Sequence, residues 1–350
     1  MDVPNKADLL SMLPSELETF IAEQGEAKFR AAQIYGWMQK GVSWDKMMNL
    51  PKRTKEKLSE IAEIRLPSIR EKHVSKLDGT VKYLFETCDG QFIESVVMRY
   101  HHGNSICVSS QAGCRMGCKF CASTLNGLAR NLLPSEILGQ IIIASADIGE
   151  RISNVVMMGI GEPLDNYANV IRFLQLVNLP DGLNIGYRHI SLSTCGIVPK
   201  IYELAEQDMQ ITLSISLHAA NDTARSTIMP VNNRYPLAEL MTACRDYFDI
   251  TGRRISFEYT LISGKNDSEK DAAELAGLLK HYMEARPFHV NLIPVNEVSE
   301  RDFARSTDDD IKKFVSALEK RRINATVRRR LGSDINASCG QLRYHAQKDH

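Results

Sequence analysis

Three cysteines fall within eight residues, in Cys114-Arg-Met-Gly-Cys118-Lys-Phe-Cys121. This C-x3-C-x2-C run puts three thiolates on one loop, and three thiolates can hold three irons of a cubane iron–sulfur cluster. An electron-transfer cluster normally takes four cysteines, so here one iron would stay open to a substrate or cofactor. Structural zinc usually takes its four ligands as two pairs, and no C-x2-C…C-x2-C pattern occurs in the chain. Zinc and a ferredoxin-like cluster are the competing chemistries for the same cysteines. A second motif is Met157-Met158-Gly159-Ile160-Gly161-Glu162-Pro163, which closes a strand-like run. Leu164 breaks the G-x-G-x-x-G continuation that a dinucleotide loop needs. Small residues there would let backbone approach a ligand. Two more cysteines stand apart. Cys107 lies seven residues before Cys114, and Cys339 lies in Asp334-Ile-Asn-Ala-Ser-Cys339-Gly-Gln-Leu342. A lone strand cysteine is commonly a small buried hydrophobe. Cys339 instead follows a basic run, beside Gly340, in a loop after the last strand-like segment.

The elements that must position these groups are legible from residue 104 onward. SICVSS, NVVMMG, HISLST, ITLSISLH, RISFEYTLI and HVNLIPV are each followed by a helical pattern, near 134–148, 167–178, 199–207, 236–248, 268–282 and 308–322, and NATVRR ends the series. Short apolar strands alternating with helices imply a parallel sheet covered by helices. Six βα units are fewer than the eight of a closed barrel. A partial barrel and a doubly wound sheet both satisfy the pattern, and either gathers ligands at the carboxyl ends of its strands. Residues 1–62 read as a helical N-terminal domain. Residues 63–103 read as a β linker, because TVKYLFET and QFIESVVMRY flank Asp89-Gly90 in a hairpin pattern. The fold class expected is α/β, a partial (β/α)6 barrel over residues 104–350 with that helical domain and β connection.

Composition sets the outer bounds. The 350 residues carry 43 basic and 43 acidic side chains, so bulk charge announces no nucleic-acid partner, although a local basic face would suffice for one. Lys52, Arg53, Lys55 and Lys57 form one such group, and Lys320, Arg321, Arg322, Arg328, Arg329 and Arg330 form another. No apolar run is long enough for a membrane span, and the start MDVPNKADLL lacks a secretory pattern. Eight cysteines in a long unsignalled chain point to a reduced, cytoplasmic protein with a metal or cluster site, not to a disulfide framework.

The C-x3-C-x2-C loop after the first strand, with Phe120 before its third cysteine, resembles the radical S-adenosylmethionine (SAM) superfamily. That resemblance implies a [4Fe–4S] cluster on Cys114, Cys118 and Cys121, whose open iron binds SAM, and a Gly-Glu-Pro motif facing the methionine amino group. ICVSSQAGCRMGCKFCASTLNGLARNL, DINASCGQL and FRAAQIYGWM together resemble the RlmN family, dual-specificity methyltransferases of 23S ribosomal RNA and transfer RNA. The resemblance covers most of the chain. It implies that Cys339 is S-methylated, that Cys107 resolves the protein–RNA adduct through a Cys107–Cys339 disulfide, and that Glu94 accepts a proton. It places SAM contacts on Gly161, Glu162, Ser193, Ser216, Leu217, His218 and Asn296. It further implies two SAM molecules per turnover, addition of the methyl group to carbon 2 of adenine, and an electron donor such as flavodoxin or ferredoxin. A monomer is the expected state. The related Cfr enzymes, which modify carbon 8 of the same ribosomal adenine, share the cluster and both outer cysteines. Their Gly-Glu is followed by Ala, where this chain has Pro163. An activase acting on a protein glycyl site, and a non-catalytic iron–sulfur RNA-binding protein, are the further alternatives.

Overall fold

The computed structural model describes residues 6–296, 300–337 and 342. Ten strands form its main sheet: β1 Ser68–Val74, β2 Val81–Glu86, β3 Phe92–Tyr100, β4 Gly103–Cys107, β5 Ile152–Met157, β6 Ile190–Thr194, β7 Thr212–Ser216, β8 Ile255–Leu261, β9 Phe288–Pro294 and β10 Ala325–Val327. Their order across the sheet is their order in the chain, from β1 at one edge to β10 at the other. β1 to β4 pair antiparallel. β4 to β10 pair parallel.

That order decides between the two sheets the sequence allowed. A doubly wound sheet reverses its strand order and carries helices on both faces. Here the order never reverses, so right-handed crossovers stack the long crossover helices on one face. The crossover helices are α4 Pro134–Ile148, α5 Tyr167–Asn178, α6 Val198–Ala205, α7 Asp222–Ile228 with α8 Leu237–Thr251, α9 Glu269–Met283 and α10 Asp308–Glu319; α4 packs on α5, α6 on α8, α8 on α9, and α9 on α10. The result is an open (β/α)6 arrangement closed by a seventh parallel strand. The hairpin strands are not a separate piece, because β1 to β3 continue the same sheet.

The two sheet faces differ in chemistry. Val155, Leu192, Leu213, Ile215, Phe257, Val290 and Leu292 are buried against the helices in one continuous core. Their neighbours in each strand point the other way. There Ser191 meets Ser214 at 3.1 Å, Ser193 meets Ser216 at 3.4 Å, and Asn291 Nδ2 donates to Glu258 at 2.6 Å. Parallel strands covered on both faces read as unbroken apolar runs. These strands alternate instead, since the helix-free face is polar and lines the site.

The N-terminal helices α1 Pro14–Glu23, α2 Phe29–Met38 and α3 Lys52–Ile61 contribute Leu17, Ile21, Ile34, Met38 and Leu58 to the same core. α1 and α4 start alike. Leu13-Pro14-Ser15-Glu16 and Leu133-Pro134-Ser135-Glu136 each put proline in the first turn, where its missing N–H costs nothing. Glu16 and Glu136 reach back to accept from Leu13 N at 2.8 Å and Leu133 N at 2.9 Å. The N-terminal part docks on α4, where Asp8 accepts from Ser135 Oγ at 2.6 Å. Among the described residues no helix is long and apolar enough to cross a membrane.

Candidate active site

The polar face opens into two chambers that share a wall. One, of about 260 Å³, is lined by Cys114, Cys118, Cys121, Gly161, Glu162, Ser193, Ser216, His218 and Asn296. The other, of about 550 Å³, is lined by Glu94, Cys107 and Arg328 to Arg330. Met158, Gly159, Ile293, Val295, Asn296 and Arg328 belong to both. The structure thus brings the three cluster cysteines together with all but one of the expected SAM contacts. The exception is Leu217, whose side chain lies in the helix-side core. Its N–H donates to Glu258 O at 3.0 Å and its carbonyl accepts from Arg225 Nε at 3.0 Å.

The cysteine loop leaves β4 through Gln111–Gly113, which pairs with Leu128–Asn131 in a small ribbon. Arg115 bonds Asp165 at 2.5 Å, Gln111 Nε2 donates to the same carboxylate at 2.9 Å, and Lys119 N donates to Ile228 O at 2.9 Å. Burial pushes the Cys114 thiol up to about 12, and Cys118 is also raised, by burial first and by the neighbouring thiols next. Buried thiols that resist ionisation alone ionise on binding a cation, releasing their protons. Among the described residues no three Cys, His, Asp or Glu side chains converge on a point that could hold a single metal ion. Three cysteines spread over one chamber wall suit a polynuclear group, whose irons each take one thiolate. Met116, Phe120, Ile228 and Met229 form an apolar shell around them. The residues therefore fit an iron–sulfur cluster.

The Gly-Ile-Gly-Glu loop is shaped by its neighbour. A Cβ on Gly159 would lie 2.5 Å from the Val108 carbonyl oxygen, and one on Gly161, at φ +106°, would lie 2.7 Å from Gln111 N. These glycines let the loop after β5 lie directly on the segment after β4, so the close approach is backbone to backbone. Glu162 then caps two loops at once. Its Oε1 accepts from Leu164 N at 3.0 Å and its Oε2 from Cys195 N at 2.8 Å. Burial raises its carboxyl, opposed by these hydrogen bonds. An ionised carboxylate has about four acceptor positions, so capacity for an ammonium remains.

His218 sits at φ +58°, and its Nδ1 accepts from Thr260 N at 3.0 Å. Accepting there leaves Nε2 as the protonated nitrogen of a neutral ring. Burial lowers its pKa to about 3, with the Arg225 charge adding to the effect. Phe120 packs edge-on against it at 4.9 Å.

In the larger chamber, Glu94 pairs with Lys82 at 3.1 Å, both side chains being 1% exposed. Lys82 Nζ also donates to Asn336 O at 3.0 Å. Cys107 packs with Val96, Met98, Met158, Leu331 and Ala337. Burial raises its thiol, and Arg328 opposes that shift. Asp334 accepts from Ser75 Oγ at 2.7 Å and Lys76 N at 2.9 Å, and Asp78 accepts from Gly332 N at 2.8 Å. The β1–β2 turn thereby anchors residues 332–337. Cys339 lies outside the described residues. Cys107 is a free thiol. The structure therefore gives no support to a disulfide at Cys107, which the resemblance implied only as a step of the reaction.

Sequence reasoning missed Glu258 and Arg225, and it named Met158 and Arg328 without placing them on a wall between two chambers. Glu258 is a buried carboxylate on the polar face of β8, held by Ser256 at 2.8 Å and by Asn291, its carboxyl raised by burial. Met158 and Arg328 line both chambers. Arg225 is fully buried beneath the cysteine loop. The alternation in ISLST, TLSIS and ISFEYT was the available signal for Glu258, since it marks which strand positions face away from the helices.

Comparison with known proteins agrees with this geometry. The family model "Radical SAM superfamily" matches residues 108–276, and "Ribosomal RNA large subunit methyltransferase N-terminal domain" matches residues 7–64. A relative in Clostridium novyi (strain NT), described as "Probable dual-specificity RNA methyltransferase RlmN", is 55% identical over 96% of this chain and 97% of its own. One so described in Lachnospira eligens is 52% identical over 98% and 97%. A crystal structure of a radical SAM methyltransferase from Sphaerobacter thermophilus superposes with a TM-score of 0.90, at 42% identity, covering 96% of this chain and 98% of that one.

Proposed function

Because this chain belongs to the RlmN family of radical SAM RNA methyltransferases, we propose that it methylates carbon 2 of an adenine in 23S ribosomal RNA and in transfer RNA. One observation carries the division of labour. Glu94, Cys107 and the root of the Cys339 loop line one chamber, and the cysteine loop lines the chamber that shares its wall.

Cys114, Cys118 and Cys121 would hold the cluster, and Gly161, Glu162, Ser193, Ser216, His218 and Asn296 would hold SAM. Cluster and SAM, when bound, supply the methyl group and a 5′-deoxyadenosyl radical, with two SAM molecules used per turnover and the electron coming from a flavodoxin or ferredoxin. Carbon 2 of adenine has no nucleophilic lone pair, so it cannot take a methyl cation directly. The chain's own sulfur can. Cys339 carries the methyl group as a thioether, and its carbon, made reactive by hydrogen abstraction, bonds to the adenine. The radical adduct gives up one electron, and Glu94, oriented by Lys82, accepts the carbon 2 proton. The Cys107 thiolate attacks the Cys339 sulfur, the sulfur–methylene bond breaks with its electron pair on carbon, and that carbon takes up a proton as the methyl group, leaving a disulfide to be reduced. Ala337, two residues before Cys339, packs against the buried cluster of Val96, Met98 and Cys107, which supports this pairing. The target adenine must leave its stack to enter, which favours loops and single strands. Arg328, Arg329 and Arg330 on the chamber wall suit its phosphates.

The test is a reconstituted reaction with SAM, reductant and an RNA fragment containing the peptidyl-transferase loop, followed by nucleoside mass spectrometry. 2-Methyladenosine is expected, and Cys107→Ala should accumulate a covalent protein–RNA species. 8-Methyladenosine would move the chain to the Cfr reaction. SAM cleavage without methylated adenosine would defeat the substrate assignment.

A further inference from the structure

Arg225 is 0% exposed, and among the described residues none of its hydrogen bonds goes to a carboxylate. Nε donates to Leu217 O at 3.0 Å, Nη2 to Cys195 O at 2.7 Å and Ser216 O at 3.1 Å, and Nη1 to Asn232 Oδ1 at 3.0 Å. Asn232 stands between it and Asp222, whose side chain lies at the exposed end of α7. A buried charge is costly unless an opposite charge compensates it. Carbonyls orient the guanidinium but do not neutralise it. The site above it does carry the missing sign. α7 docks on the cysteine loop through Ile228 O, and Cys118 and Cys195 share one packed cluster with Ile228 and Met229. Three thiolates leave an oxidised cubane core net negative, and one added electron makes it more so.

We propose that Arg225 is a positioning residue whose fixed positive charge eases one-electron reduction of the cluster on Cys114, Cys118 and Cys121. The inference rests on the cluster assignment above. The electron comes from a low-potential one-electron carrier, which is oxidised as the cluster is reduced, and no proton is required. Arg225 does not contact the substrates, because its bonds are spent on the loops after β6 and β7 and on Asn232. Attraction to a fixed charge favours the more negative state, so the charge makes the midpoint potential less negative.

The experiment is an anaerobic spectroelectrochemical titration of the reconstituted full chain, read by the electron paramagnetic resonance signal of the reduced cluster. Wild-type iron content and signal come first; their absence would defeat the cluster reading itself. Arg225→Gln is expected to lower the reduction equilibrium at least about tenfold, a 59 mV shift to more negative potential for one electron. Arg225→Lys keeps the charge and is expected to stay within about threefold of wild type. An unshifted Gln variant overturns the proposal, as does an equal shift in both variants. Loss of iron in both assigns Arg225 to the scaffold and overturns it as well.

Discussion

Single side chains in this site are set by burial more than by sequence neighbours. His218 shows the consequence for acid stability. Its pKa is about 3 in the folded chain against 6.5 unfolded, so below pH 6.5 the unfolded state binds the extra proton. The stabilisation is whole above pH 6.5 and is lost as pH falls towards 3, by up to about 1.4 kcal/mol per pH unit. Urea unfolding of the cluster-free chain should show this slope, and His218→Gln should flatten it. Lys82 makes a second case. Lys82→Met removes the ammonium from a buried pair, which typically costs about 3–5 kcal/mol. A midpoint in urea equal to wild type would refute it. The cysteines and Glu162 were legible in the sequence because their spacing is itself the signal. Arg225, Glu258 and Met158 were not, because their roles depend on which sheet face is free of helices. His218 was read as a ligand contact, and its φ of +58° and bond from Thr260 N give it a structural task as well.

At the scale of elements, the strand–helix alternation was readable, although α7 Asp222–Ile228 went unread and the helix expected near 308–322 ends at Glu319. The pattern near 134–148 is α4 Pro134–Ile148 and that near 167–178 is α5 Tyr167–Asn178. Periodicity in long amphipathic segments is strong, and proline and the αβ punctuation fix their ends. Strand order could not be read, since six βα units satisfy two topologies until the neighbours of each strand are known. Nor did the pattern show that β1 to β3 join the main sheet, because a hairpin looks the same alone or attached. The tight approach between the loops after β4 and β5 gives the element-scale prediction. Gly159→Ala would set a methyl group 2.5 Å from the Val108 carbonyl oxygen, so one loop must move. Overpacking of this kind costs about 1–3 kcal/mol. Thermal unfolding should show that loss, and SAM affinity measured by calorimetry should fall with it, since Gly161 and Glu162 ride on the same loop.

For the whole molecule, a net charge of zero makes RNA binding a matter of local faces. Lys52, Arg53 and Lys55 begin α3, and Arg328 to Arg330 rim the larger chamber. Replacing Lys52, Arg53, Lys55 and Lys57 by Gln should weaken RNA binding alike for all sequences. It should also reduce the slope of log affinity against log salt by up to about 0.7–0.9 for each phosphate that is no longer neutralised. Filter binding over a salt series checks both; an unchanged slope would leave α3 off the RNA path. The unbroken strand order has a consequence for how the protein is made. Each strand joins the edge left by the one before it, so the sheet can grow as the chain emerges from the ribosome, without waiting for a distant partner. The arginines follow the last strand, but the segment leading to Cys339 returns to the first edge, where Ser75, Lys76, Asp78 and Lys82 hold it. The late-made part of the site is thus seated on the first-made strands of the main sheet, and one short segment ties the two ends of an open sheet together.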